Sequence, residues 1–158
     1  MSLIVHIVED SAIKAASISA FFCQEFSGSC DTNIFGSFQS AMRAIDASWP
    51  ELIILDMTIP TFDRKPNARE GRMRPLGGYD LMCKMKHRSI SAAVIVVTQL
   101  ETFGEGDEEV SFDEITQRCA RDFPDIFLGS VYYDQGGLTW QADLGRLVEA
   151  FMGRREHQ

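Results

Sequence analysis

A chain of 158 residues, 45% hydrophobic and 24% charged, has the length and balance of one globular domain with its own core. It lacks the run of about 18 apolar residues that a membrane-spanning helix needs, and its net charge of −8 argues against general nucleic-acid binding. Four cysteines without metal-like spacing, Cys23, Cys30, Cys83 and Cys119, point to a reducing, cytoplasmic setting, with Cys23, Cys83 and Cys119 expected to act as small hydrophobes on helices.

Strand-like and helix-like patterns alternate along the chain. The start has no basic leader and no small-residue cleavage site, so Leu3–Val8 reads as a first buried strand, ended by Glu9-Asp10. Residues 12–26 follow as a helix with Ile13, Ala16, Ala20, Cys23 and Phe26 on its apolar surface. Residues 33–35 form a weak strand. Phe38, Ala41, Met42 and Ile45 then repeat at helical spacing behind a Ser37 cap. Leu52–Leu55 is the next strand, ended by Asp56, and 79–87 reads as a helix through Leu81, Met82 and Met85. Residues 93–97 form a strand ended by Thr98. Ser111-Phe112-Asp113-Glu114 is a capping box for a helix on Phe112, Ile115, Cys119 and Phe123, stopped by Pro124. Residues 126–133 form the last strand, and Leu144, Leu147, Val148 and Phe151 mark the last helix.

This is a (βα)5 pattern. Strands apolar on both faces, each followed by a helix, imply an α/β doubly wound fold: a five-stranded parallel sheet covered on both sides. The whole of 1–158 reads as one domain with two long loop insertions. Residues 61–77 carry five cations (Arg64, Lys65, Arg69, Arg72, Arg74) against Asp63 and Glu70, and 100–110 is acidic. Right-handed crossovers bring the C-terminal ends of all the strands to one edge of the sheet.

Glu9, Asp10, Asp56 and Thr98 end three strands on that edge. Clustered carboxylates repel one another unless a cation compensates, and hard oxygen ligands of this kind suit Mg²⁺. One carboxylate would then act as nucleophile toward a phosphoryl donor, with Thr98 bonding a phosphoryl oxygen. The bland readings stand beside this one: Asp10 or Ser11 as a helix N-cap, Asp56 as a solvated strand-end acid, His6 as a satisfied core histidine.

The ordered set of Glu9-Asp10, Asp56 with Pro60 four residues on, Gly77-Gly78-Tyr79-Asp80-Leu81 and Ile95-Val96-Val97-Thr98 resembles the receiver domain of two-component response regulators, a flavodoxin-like fold. The resemblance implies Asp56 as phosphoacceptor and a Mg²⁺ ion held by Asp10, Asp56, the Thr58 carbonyl and, through water, Glu9. It implies Thr98 as the switch hydroxyl and Tyr132 as the aromatic that follows it, with Tyr133 an equal candidate. It also implies a histidine kinase or phosphotransfer protein as phosphoryl source and a downstream protein partner, with homodimerisation open and no role for a membrane or nucleic acid.

The pattern is broken in one important place. The family keeps a lysine at the end of the last strand, and here Val131-Tyr132-Tyr133-Asp134 stands there, with no lysine after Lys86. The long basic loop is the source of cations expected to replace it. Gln99 stands where the family has a very small residue. The chain stops soon after the last helix, so a stand-alone, non-enzymatic signalling receiver is expected. A pseudo-receiver that is not switched by phosphorylation is the alternative, and a small Mg²⁺-dependent phosphohydrolase a third reading.

Overall fold

Strands without a polar face must be covered on both sides, and in a computed structural model, which describes residues 2–63 and 73–156, they are. The chain runs β1 (Leu3–Val8), α1 (Ala12–Glu25), β2 (Cys30–Phe35), α2 (Phe38–Ala47), β3 (Leu52–Leu55), β4 (Ile59–Pro60), β5 (Met73–Arg74) and α3 (Gly77–His87). It continues through β6 (Ala93–Thr98), β7 (Thr102–Phe103), β8 (Val110–Ser111), α4 (Phe112–Asp122), β9 (Phe127–Tyr132) and α5 (Thr139–Glu156). Five strands form one parallel sheet in the order β2-β1-β3-β6-β9, a flavodoxin-like arrangement. Helices α1 and α5 pack on one face through Ile18, Phe22, Leu144 and Val148. Helices α2, α3 and α4 pack on the other through Ile45, Leu81, Met85 and Ile115.

The strand register decides where the chemistry lies. Val8 pairs with Leu55, and Leu55 pairs with Val96. The next residues, Glu9, Asp56 and Val97, are therefore level on one edge of the sheet, and the Asp56 N–H donates to the Val8 carbonyl at 3.0 Å.

Both insertions leave that edge as hairpins. β4 pairs with β5, and β7 pairs with β8, each through a two-residue antiparallel ladder, with a short 3₁₀ turn at 106–108 inside the second. The sequence reading treats both as loops because two-residue strands carry no periodicity. Residues 64–72, which include Arg64, Lys65, Arg69 and Arg72, lie outside the described residues.

Two local expectations change, and the Ser111 cap stands. Helix α1 buries Lys14, Ala15, Ile18, Phe21 and Phe22 and leaves Ile13 70% exposed, so its inward face is one step round from the expected stripe. A lysine inside the apolar register disguises that face. Cys23 and Cys83 are exposed, while Cys119 is buried and its thiol is pushed up to about 12 by burial. Ser111 caps α4 by accepting from the Glu114 N–H.

His6 is buried in β1, its ring 4.8 Å from that of Phe35, and its Nδ1 has no partner among the described residues, so it is not the satisfied histidine expected. Burial holds its pKa below the ordinary 6.5. As pH falls through 6.5 the unfolded imidazole takes its proton first, and stability is lost until the lowered native value is reached. Urea denaturation from about pH 7 to about pH 5 should show a loss with a slope of up to ~1.4 kcal/mol per pH unit that shrinks in His6→Val.

Candidate functional site

Glu9, Asp10 and Asp56 each place a carboxylate oxygen so that the three lie within 4.8 Å of one another. Glu9 is buried: Oε1 accepts the Ser11 N–H at 3.0 Å, and Oε2 lies 2.6 Å from the Lys14 ammonium. Burial pushes the Glu9 pKa up, the Asp56 charge adds to the rise, and Lys14 opposes it. Asp56 Oδ2 lies 3.3 Å from the same ammonium, and Oδ1 is buried with no hydrogen-bond partner among the described residues. The N-cap of α1 is Ser11, whose Oγ accepts from the Lys14 N–H, and not Asp10. The cap therefore does not explain why an acid stands at position 10.

Hard carboxylate oxygens at this spacing, one of them buried and unpartnered, fit a small divalent cation such as Mg²⁺. Among the described residues three carboxylates meet one ammonium there, and the mutual repulsion of the acids also favours a cation.

No family model matches the chain. It is 34% identical over 140 residues to the Detocs response regulatory protein DtcB of Enterobacter cloacae, covering 87% of this chain and 93% of that protein. This chain is a response-regulator receiver. Solved structures agree on the fold. A CheY-like response regulator receiver domain protein from Methanospirillum hungatei superposes with a TM-score of 0.64 at 15% identity, covering 100% of each chain. The structure of the CheA3 P1 domain in complex with CheY6 from R. sphaeroides gives a TM-score of 0.62 at 19% identity, covering 97% of this chain and 99% of that one.

In this receiver Thr98 is fully buried at the end of β6, and its Oγ1 accepts the Leu100 N–H at 3.3 Å. Gln99 beside it is exposed. The two candidate aromatics part company. Tyr132 is 40% exposed and meets Phe112 edge-on at 6.0 Å, whereas Tyr133 is buried against Trp140, and its ring centroid lies 5.6 Å from the Lys14 ammonium. Thr58 follows Asp56 closely, and its hydroxyl donates to the Pro75 carbonyl at 2.9 Å, tying the Asp56 segment to the far end of the first insertion.

The basic insertion does not bring its described arginine to the acids. Arg74 lies over the Phe38 ring at 4.3 Å, donates to Thr61 Oγ1 and sits 3.7 Å from Asp80. A groove of about 820 Å³ separates the two insertions, lined by Arg74, Asp80 and Arg118 together with the acids Asp107, Glu108 and Glu109. Among the described residues the cation that meets Glu9 and Asp56 is Lys14, which the sequence reading did not select. Its signal was its spacing: Lys14, Ile18, Phe21 and Phe22 fall at i, i+4, i+7 and i+8, which puts a lysine on the buried stripe.

The backbone around Asp56 depends on a glycine. The Gly78 N–H donates to the Met57 carbonyl at 2.8 Å, and a Cβ at Gly78 would sit 2.7 Å from the Asp56 carbonyl oxygen. Backbone cannot yield as a flexible side chain would. Gly78→Ala should therefore cost about 1–3 kcal/mol of stability by urea denaturation, because either α3 or the Asp56 segment must shift.

Proposed function

We propose that this receiver accepts a phosphoryl group on Asp56 in a Mg²⁺-dependent reaction and passes the signal on by protein contact. The observation that carries this reading is the packing of three carboxylates within 4.8 Å at the ends of β1 and β3, with one Asp56 oxygen buried and unpartnered. Asp56 is the acceptor because it ends a central strand, between β1 and β6, and leaves Glu9 and Asp10 to hold the ion. Asp10, Asp56 and the Thr58 carbonyl would ligate it, with Glu9 acting through water.

The donor is a phosphohistidine of a histidine kinase or phosphotransfer protein, a pairing supported by the complex of the CheA3 P1 domain with the CheY6 neighbour. An Asp56 carboxylate oxygen attacks phosphorus, the P–N bond breaks, and the imidazole leaves with the electron pair. When bound, Mg²⁺ offsets the negative charge of the carboxylates and the incoming phosphoryl oxygens. Thr98 lies at the end of the adjacent strand, so its hydroxyl would turn from the Leu100 N–H to donate to a phosphoryl oxygen. Tyr132, half-exposed next to Phe112, would report that turn to the β9–α4 surface, where a downstream protein or a second copy would dock. We place this activity in the cytoplasm, in one receiver domain over 1–158. Among the described residues no helix is long and apolar enough to cross a membrane.

The second reading, a pseudo-receiver, is favoured by one observation: Lys14 already offsets part of the cluster's charge without an ion. Intact-mass measurement after incubation with Mg²⁺ and a small phosphoryl donor separates the two. The expected result is a single phosphoryl adduct that needs Mg²⁺ and disappears in Asp56→Asn. An unmodified wild-type protein, or an adduct that survives Asp56→Asn, would refute the acceptor assignment.

A further inference from the structure

Lys14 is badly placed by every local rule. It stands in the first turn of α1, where the helix macrodipole is positive, and only 2% of it is exposed. An ammonium has three N–H donors, and here it meets three acceptors: Glu9 Oε2 at 2.6 Å, the Val97 carbonyl at 2.9 Å and Asp56 Oδ2 at 3.3 Å. The Tyr133 ring closes over the same group at 5.6 Å. The ammonium thus sits between the acceptor carboxylate and the β6–β9 side of the sheet edge. The residue just after β9, Tyr133, is the tyrosine that covers it.

We propose that Lys14, reaching in from α1, is the cation that pairs with the phosphoryl group on Asp56, in place of a lysine at the end of the last strand. The proposal rests on Asp56 being the acceptor. Of the ammonium's three contacts, the one to Asp56 is the longest, and it is the one that phosphorylation changes. Forming the acyl phosphate removes the carboxylate charge at Oδ and sets phosphoryl oxygens with a larger negative charge within reach of the same ammonium. Lys14 keeps its Glu9 and Val97 contacts and exchanges a carboxylate oxygen for a phosphoryl oxygen. Because Lys14 belongs to α1, the pull of the phosphoryl group falls on α1 and on the Val97–Thr98 end of β6. The conformational response of this receiver therefore includes helix α1.

The test uses the full chain with Mg²⁺ present throughout and beryllium fluoride as phosphoryl mimic. Mimic affinity is measured by calorimetry, and amide hydrogen exchange is followed across 12–25 and 126–133. Wild-type protein is expected to bind the mimic and to gain protection in 12–25. Lys14→Met, which keeps an unbranched apolar side chain under Tyr133, should bind Mg²⁺ at least as well as wild type, because a competing cation is gone. Its mimic affinity should fall about tenfold or more, and the response of 12–25 should vanish. The double variant Lys14→Met with Tyr133→Lys returns a cation to the pocket from the end of β9. It should recover mimic binding and move the exchange response from 12–25 to 126–133, and it carries the comparison if Lys14→Met alone does not fold. Lys14→Met, or the double variant, behaving like wild type in both readouts would overturn the role of Lys14 and leave Asp56 standing. Wild-type protein that binds no mimic while binding Mg²⁺ would overturn the acceptor reading, and the Lys14 proposal with it.

Discussion

A single buried ammonium organises the functional edge of this molecule. Lys14 joins the end of β1 through Glu9, the end of β3 through Asp56 and the end of β6 through the Val97 carbonyl, and it does so from helix α1. Charges this deep are held only when each finds a partner, and removing one partner of a buried ion pair typically costs about 3–5 kcal/mol. The carboxylates and the lysine therefore depend on one another. Without Lys14, Glu9 would be an uncompensated buried acid beside Asp56; without the acids, Lys14 could not stay on the inner face of its helix.

That constraint acts through the sheet. Parallel register brings Glu9, Asp56 and Val97 level, and the two cores on either side hold the strand ends still. Val5, Ile7, Ile54 and Ile95 face α1 and α5, while Val8, Ile53, Leu55 and Val94 face α2, α3 and α4. The close approach of Gly78 to the Asp56 carbonyl fixes the Asp56 segment from the α3 side. The ion pair fixes it from the α1 side. Asp56 is thus positioned by two helices on opposite faces of the sheet, which suits a residue whose chemistry needs a defined geometry.

The two insertions add to this frame without disturbing it. Each begins and ends in a short antiparallel ladder at the C-terminal edge, so the extra chain leaves and returns at nearly one point. The first is anchored to the body by Arg74 on Phe38 and by Asp63, which accepts a hydrogen bond from Ser40. The acidic second insertion lies across a groove from Arg74 and Arg118. Strong patches of opposite sign at the rim of a receiver pocket bias which partners approach it, an effect on encounter rates and selectivity more than on the chemistry.

The alternation of β-branched runs with helical periods determined the element order, the parallel sheet and the edge where the acids gather, because backbone hydrogen bonding and apolar burial leave few other ways to arrange such a chain. Leu52–Leu55 coincides with its strand to the residue, and Glu9, Asp10, Asp56 and Thr98 stand where strand ends put them. The acidic cluster and the receiver family were legible for the same reason: they are carried by residues adjacent to strands. The buried lysine at that cluster was not. A search along the last strand and the basic loop looks for charge where it is exposed or near in sequence. Lys14 is neither, since it lies among apolar residues on a helix whose stripe, read without it, is phased to the wrong face. Whether that lysine points to solvent or into the pocket depends on how α1 rolls against β1 and β6. That roll is decided by the packing of Ile18, Phe21 and Phe22 together with the pull of Glu9 and Asp56, long-range terms that only the tertiary structure brings together.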